Sequence, residues 1–220
     1  MPAKSGFWNS TIGRKIVMAV TGLILFGFVL AHLVGNLQLY LGPDAINAYG
    51  LFLRQVFHGA GLWIARAGLL VAVVLHIWAA TSLTLASRAA RPVAYRRWQP
   101  RESTYASRTM RWGGVIVLLF VIYHLLHFTL GTVHPSFVPG DVYHNMVAGF
   151  QVPWVSAFYI IAMLALGLHL RHGLWSMFQT LGVAHPRYER YAKAFAAVFA
   201  AVIVLGNISF PISVLAGWVR

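Results

Sequence analysis

Five stretches of this chain are apolar for longer than the roughly 20 residues that carry a helix across the hydrocarbon core of a bilayer. They cover 16–41, 62–86, 112–133, 153–180 and 191–219. The pattern predicts an all-α integral membrane bundle of five transmembrane helices in a single domain, 1–220. Pro153 opens the fourth stretch, at a helical position where a missing N–H costs nothing. Between the stretches lie Gly42-Pro43-Asp44, Pro135 to Gly140 and His185-Pro186. These read as turns in short polar connections, too short for a soluble domain. The first run exceeds the roughly 7–15 residues of a signal-peptide core and lacks a small-residue cleavage site near its end, so it reads as a retained helix.

Composition sharpens this picture. Of 220 residues, 59% are hydrophobic and 10% charged, against about 25% charged in a soluble domain. Seventeen Lys and Arg stand against four acids, a net charge of +13. Because the cations interrupt long apolar runs and form no soluble basic face, nucleic acid is excluded as a partner. Cysteine is absent, which excludes disulfides, thiolate chemistry, iron–sulfur ligation and covalent c-type haem attachment within this chain.

The cations also predict orientation. Lys4, Arg14 and Lys15 precede the first stretch; Arg88, Arg91, Arg96, Arg97, Arg101, Arg108 and Arg111 lie between the second and third; Arg187, Arg190 and Lys193 lie between the fourth and fifth. The remaining connections hold only Arg54 with Asp44, and Asp141. The positive-inside rule then puts the N-terminus in the cytoplasm and the C-terminus outside, in a bacterial-type cytoplasmic membrane. Trp8, Trp98, Trp112, Trp154, Trp175 and Trp218 fall near stretch ends, as an interfacial belt requires. The basic loops read either as topology signals alone or as a docking face for a cytoplasmic partner.

Ionisable groups are costly in hydrocarbon, so an intramembrane histidine is a functional hypothesis by default. The first stretch has His32, the second His76, the third His124 and His127, the fourth His169 and His172, and the fifth none. One such histidine alone reads as a helix-to-helix hydrogen bonder. Four helices with at least one each can supply two iron porphyrins with two axial nitrogens apiece. At about 1.5 Å per residue, His32 lies about 26 Å beyond Arg14 and Lys15, His124 about 20 Å beyond Arg111, and His76 about 18 Å from Arg88. His169 is close to Arg171. These depths group His32 with His124 toward the outside and His76 with His169 toward the cytoplasm. His127 and His172 lie one turn from His124 and His169 and compete as ligands; the more central member of each pair is placed first. His58, His134, His144 and His185 sit in or beside loops and read as solvated.

Gly22 lies ten residues before His32 and Gly113 eleven before His124. Each falls near its histidine's face about three turns away, where a small residue admits a flat macrocycle; ordinary small-residue helix packing is the alternative.

With these residues in view, the sequence resembles the membrane cytochrome b subunit of succinate dehydrogenase or fumarate reductase, in the class with one large five-helix dihaem anchor. The resemblance rests on Ser10-Thr11-Ile12-Gly13-Arg14-Lys15, His32-Leu33-Val34-Gly35-Asn36, His76, Tyr123-His124, and His169 followed by Gly173-Leu174-Trp175-Ser176, and it spans nearly the whole chain. It implies two haem b groups, His76 and His169 holding the proximal one and His32 and His124 the distal one. It also implies menaquinone or ubiquinone as substrate, and cytoplasmic flavoprotein and iron–sulfur partners. Some members of the class place carboxylates in the membrane for quinol oxidation or a proton path. Here Asp44, Glu102, Asp141 and Glu189 all lie outside the apolar stretches, which speaks against such a path. Candidate haem-propionate partners are Ser10, Arg14, Arg111, Trp112, Arg171 and His172, with Arg66 for the distal haem. Candidate quinone contacts at the outer side are Asn36, Gln38, Asp44, Asn47 and His58. Two rival classes use the same histidines differently: the dihaem subunit of a hydrogenase, formate dehydrogenase or nitrate reductase, and a haem-free transporter or scaffold.

Overall fold

The computed structural model describes residues 6–90, 105–183 and 185–220. The expectations for Lys4, Arg91, Arg96, Arg97, Trp98, Arg101, Glu102 and the Arg108 side chain fall outside what it describes. Among the described residues seven α-helices follow one another: α1 (Thr11–Asn36), α2 (Pro43–Gln55), α3 (Ala60–Ala89), α4 (Tyr105–His124), α5 (Val142–Phe150), α6 (Pro153–Thr180) and α7 (Pro186–Leu215). Among the described residues, five helical spans are long and apolar enough to cross a membrane. The chain is an all-α, multi-pass membrane protein.

Local chemistry sets the helix ends. Ser10 caps α1: its Oγ accepts from the Gly13 N–H at 2.9 Å and donates to the Phe7 carbonyl at 2.9 Å. Past Asn36 the helix tightens into a 3-10 run, Leu37–Leu41, and Gly42, at φ 98°, turns the chain into Pro43 at the start of α2. α4 widens into a π turn, Leu125–Thr129, closed by the Leu130 N–H on the Leu125 carbonyl at 2.9 Å. Pro153 and Pro186 open α6 and α7, and the His185 ring accepts from the Arg187 N–H.

Two connections differ from the short polar loops expected of them. The first contains α2, of 13 residues, and the second α5, of 9. Each is too short to span a bilayer, so a search for long apolar runs passes over it. Both stand at the same end of the bundle, and they are clamped together. The Asn47 amide donates to the Asp141 carboxylate at 3.0 Å, and its carbonyl accepts from the Tyr143 N–H at 3.0 Å. Asp141 also caps α5 by accepting from the His144 N–H at 3.0 Å. Between α2 and α3 the backbone bends through left-handed conformations at Phe57 (φ 49°) and His58 (φ 53°), a strain of order 1–3 kcal/mol per residue that the surrounding structure must hold.

Packing divides the long helices into two sequential hairpins. α1 lies against α3, and α4 against α6; α6 also contacts α1 and packs along α7. Small residues allow the close approaches, as expected in membranes. Gly167 on α6 meets Val204, and Gly206 on α7 meets Leu33; a Cβ at either position has no room. The buried core runs through Leu33, Phe120, Phe150, Tyr159, Met163, Phe199 and Ile203. α7 carries Pro211 inside its length.

The clamp yields a pH-dependent prediction. The His144 backbone N–H and the Asn47 amide both stabilise the ionised Asp141 carboxylate and hold it below its usual range. Its contribution is therefore present above the unfolded-state value of about 3.9 and is lost as pH falls through the lower folded value. Asp141→Ala should cost about 1 kcal/mol at neutral pH, the usual worth of a helix cap. Thermal melts in detergent should show that gap shrinking as the pH drops below about 4.

Candidate haem-binding site

The histidines of the four helices meet in pairs. The His32 ring on α1 and the His124 ring on α4 have centroids 5.8 Å apart and planes at 88°. The His76 ring on α3 and the His169 ring on α6 are 6.3 Å apart at 59°. Each pair therefore joins one helical hairpin to the other. Metal–imidazole bonds of about 2 Å place two rings on one metal with centroids roughly 6 Å apart, so both spacings fit a single ion between two imidazoles. Among the described residues no group of three or more His, Cys, Asp or Glu gathers as a metal site. A porphyrin brings four equatorial donors of its own and asks the protein for two axial ones.

Each ring has a distinct setting. His32 is exposed at its edge of the bundle and stacks on Phe28 at 5.4 Å. His124, half-buried, lies among Phe120, Phe128 and Tyr159, and its Nδ1 is 3.3 Å from the Tyr159 hydroxyl. The Nδ1 of His76 is 3.1 Å from the Thr21 hydroxyl on α1. The Nδ1 of His169 is buried without a hydrogen-bond partner, the kind of orphaned polar atom that calls for an explanation.

Glycines stand beside two of the rings. A Cβ at Gly22 would stand 3.5 Å from His76 Cε1, and one at Gly114 would stand 3.7 Å from His169 Cε1. Sequence reasoning named Gly113, which has open space around its Cα; its neighbour Gly114 is the one that faces the His169 ring. Gly113 instead joins Trp112, Ile116, Leu168 and His169 along a shallow cleft of about 210 Å³ between α4 and α6.

The competing histidines are engaged elsewhere. His127 sits in the π turn, fully buried, with Nδ1 3.1 Å from the Tyr159 hydroxyl and its ring stacked on His134 at 4.8 Å. Gly149 closes over it, and a Cβ there would come within 2.8 Å of His127 Cε1. His172 Nε2 lies 3.2 Å from the Ser176 hydroxyl. His134 and His144 lock the loop before α5: His134 Nε2 is 2.8 Å from the Asn145 carbonyl and His144 Nε2 is 2.9 Å from the Ser136 carbonyl.

The polar candidates scatter. Ser10 serves as a helix cap, and Arg14 Nε donates to the Trp8 carbonyl at 3.1 Å. The Arg66 guanidinium covers the exposed Trp63 ring at 5.1 Å. Arg111, Trp112 and Arg171 are exposed. Asn47 has both ends of its amide committed to the α2–α5 clamp. Asn36 and Gln38 are half-buried at the end of α1, and Asp44 and His58 are exposed at the ends of α2. The residues that sequence reasoning missed are Thr21, Gly114 and Tyr159. Gly22, Gly114 and Tyr159 share a signal: each stands ten residues before a histidine of its own helix and touches a ring of the other pair.

Comparison with curated proteins and with solved structures returns no significant match. A family model, described as succinate dehydrogenase/fumarate reductase transmembrane subunit, matches residues 87–207. That match covers more than half of the chain, from the end of α3 through α4, α5 and α6 and well into α7, and the chain belongs to this family.

Proposed function

We propose that the chain is the membrane anchor and electron-transfer subunit of a succinate:quinone oxidoreductase and holds two haem b groups. His32 and His124 would hold the distal haem, and His76 and His169 the proximal haem. The observation that carries this reading is the meeting of imidazoles from four separate helices in two pairs at two levels of one bundle. Family membership supplies the kind of enzyme. When bound, the haems supply one-electron chemistry that links an iron–sulfur partner to membrane quinone.

The chain's own residues do the rest. α1 and α3 bring one imidazole each from one hairpin, and α4 and α6 answer from the other. Phe28, Phe120, Phe128 and Tyr159 keep the surroundings of the His32–His124 pair apolar and aromatic. Gly22 and Gly114 stand beside His76 and His169. With no cysteine in the chain, the iron–sulfur clusters belong to a partner, which docks together with a flavoprotein on the basic face. By the positive-inside rule that face is cytoplasmic, with the N-terminus inside and the C-terminus outside. The quinone approaches from the opposite end, where Asn36, Gln38, Asp44 and His58 offer polar contacts and Asn47 acts as scaffold.

The deciding experiment is a haem count by reduced-minus-oxidised spectroscopy on the purified chain. Wild type should hold about two b-type haems per polypeptide. His32→Ala or His124→Ala should lose one, and His76→Ala or His169→Ala the other. Full retention in any one variant removes that residue from the ligand set, and a colourless wild type ends the reading. His127→Phe should keep both haems, because its ring serves Tyr159 and the loop above it. Its melting curve should nevertheless show a loss of about 1–3 kcal/mol from the broken buried hydrogen bond.

A further inference from the structure

We propose that Thr21 and Tyr159 are positioning residues: each fastens one imidazole of a pair by its Nδ1 and so dictates which ring nitrogen faces the iron. The inference rests on the ligand assignment above and adds to it the source of each ring's tautomer.

The case at His76 follows from hydroxyl bookkeeping. Thr21 is buried, and its Oγ1 lies 2.7 Å from the Val17 carbonyl, one turn back on α1. A carbonyl only accepts, so the single hydroxyl proton points there. What Oγ1 then offers to His76 Nδ1, at 3.1 Å, is a lone pair. Nδ1 must carry the ring's proton, and Nε2 is left with a free lone pair, the form an imidazole needs to bind a metal. This conclusion needs no metal: the Thr21 hydroxyl presents a lone pair to the ring, and the Met18 carbonyl of α1 is a second acceptor within its reach.

At His124 the same logic runs through three rings. The Tyr159 hydroxyl is 3.3 Å from His124 Nδ1 and 3.1 Å from His127 Nδ1, and it has one proton to give. If His124 uses Nε2 toward iron, its Nδ1–H donates to the Tyr159 oxygen, and the hydroxyl proton goes to His127 Nδ1. His127 is then held as the Nε2–H tautomer, its Nε2 buried with no partner. In that arrangement one hydroxyl serves both neighbouring histidines, leaving His124 Nε2 available to metal and tying His127 to the fold.

The opposite ring in each pair has no such tether among the described residues: His169 Nδ1 is buried and unpartnered, and His32 is held by stacking on Phe28. Each pair thus has one fixed and one adaptable imidazole. A ligand that donates through its second nitrogen is a stronger electron donor to its metal, so removing the acceptor should favour the reduced form.

The test is a potentiometric titration of the full-length chain with its native haem complement, read at the b-type absorption band and by the electron paramagnetic resonance of the ferric haems. Thr21→Val, which keeps the shape and loses the hydroxyl, should shift the oxidised–reduced equilibrium roughly fivefold toward reduction. The shift should appear only in the haem that His76→Ala eliminates. Thr21→Ser should restore the wild-type value. Tyr159→Phe should shift only the haem that His124→Ala eliminates. Loss of the His76 haem in Thr21→Val with retention in Thr21→Ser also supports the proposal, since the hydroxyl is then what the site requires. The proposal is overturned if Thr21→Val and Tyr159→Phe leave both haems at wild-type potential and signal, if either variant moves both haems alike, or if Thr21→Ser behaves like Thr21→Val. A wild type without haem overturns the ligand assignment itself and is told apart by its lack of colour.

Discussion

Everything in this bundle is arranged around the cost of placing imidazoles in hydrocarbon. A titratable ring away from water must find partners or lose several kcal/mol, and this chain carries six such rings on four long helices. Two of them, His127 and His172, each take one ring nitrogen to a neighbouring hydroxyl. The other four face one another in pairs, and the helices that bear them are spaced by that requirement. α7, which has none in its length, is free to act as a packing strut: its small and aromatic side chains fill against α6 and α1.

A ten-residue step organises the two levels. It advances a helix by about 15 Å and stops about 80° short of three full turns, so a residue that far from a histidine stands at the height of the other pair on an adjoining face. α1 uses the step to set Gly22 beside His76, α4 to set Gly114 beside His169, and α6 to set Tyr159 beside His124. Each of these helices therefore serves both levels, with a ring at one and a contact at the other. Coupling between the levels is built into the helix repeat and needs no dedicated connection.

Much of this was legible in the sequence. Five apolar stretches announced five spans, because length and hydropathy alone decide whether a helix can cross a bilayer. The depth of each histidine, counted from the flanking cations, grouped His32 with His124 and His76 with His169, and these are the rings the fold sets side by side. What escaped has identifiable reasons. α2 and α5 are shorter than any spanning criterion, and their role depends on a contact between Asn47 and Asp141, 94 residues apart. Adjacent Gly113 and Gly114 differ by about 100° around a helix, and only the packed rotation of α4 settles which of them faces α6. Thr21 and Tyr159 looked like ordinary members of apolar helices, since a hydroxyl gains its meaning from the ring that tertiary packing brings to it.

The division into hairpins bears on how such a molecule is made. α1 with α3, and α4 with α6, are each adjacent in sequence and closely packed, with their backbone hydrogen bonds satisfied inside their own helices. Such units are stable in lipid one at a time, which suits stepwise delivery into a membrane during synthesis. The imidazole pairs, by contrast, form only between units. Each hairpin can therefore insert as soon as its own two spans exist, whereas the imidazole pairs can close only once α6 has been made.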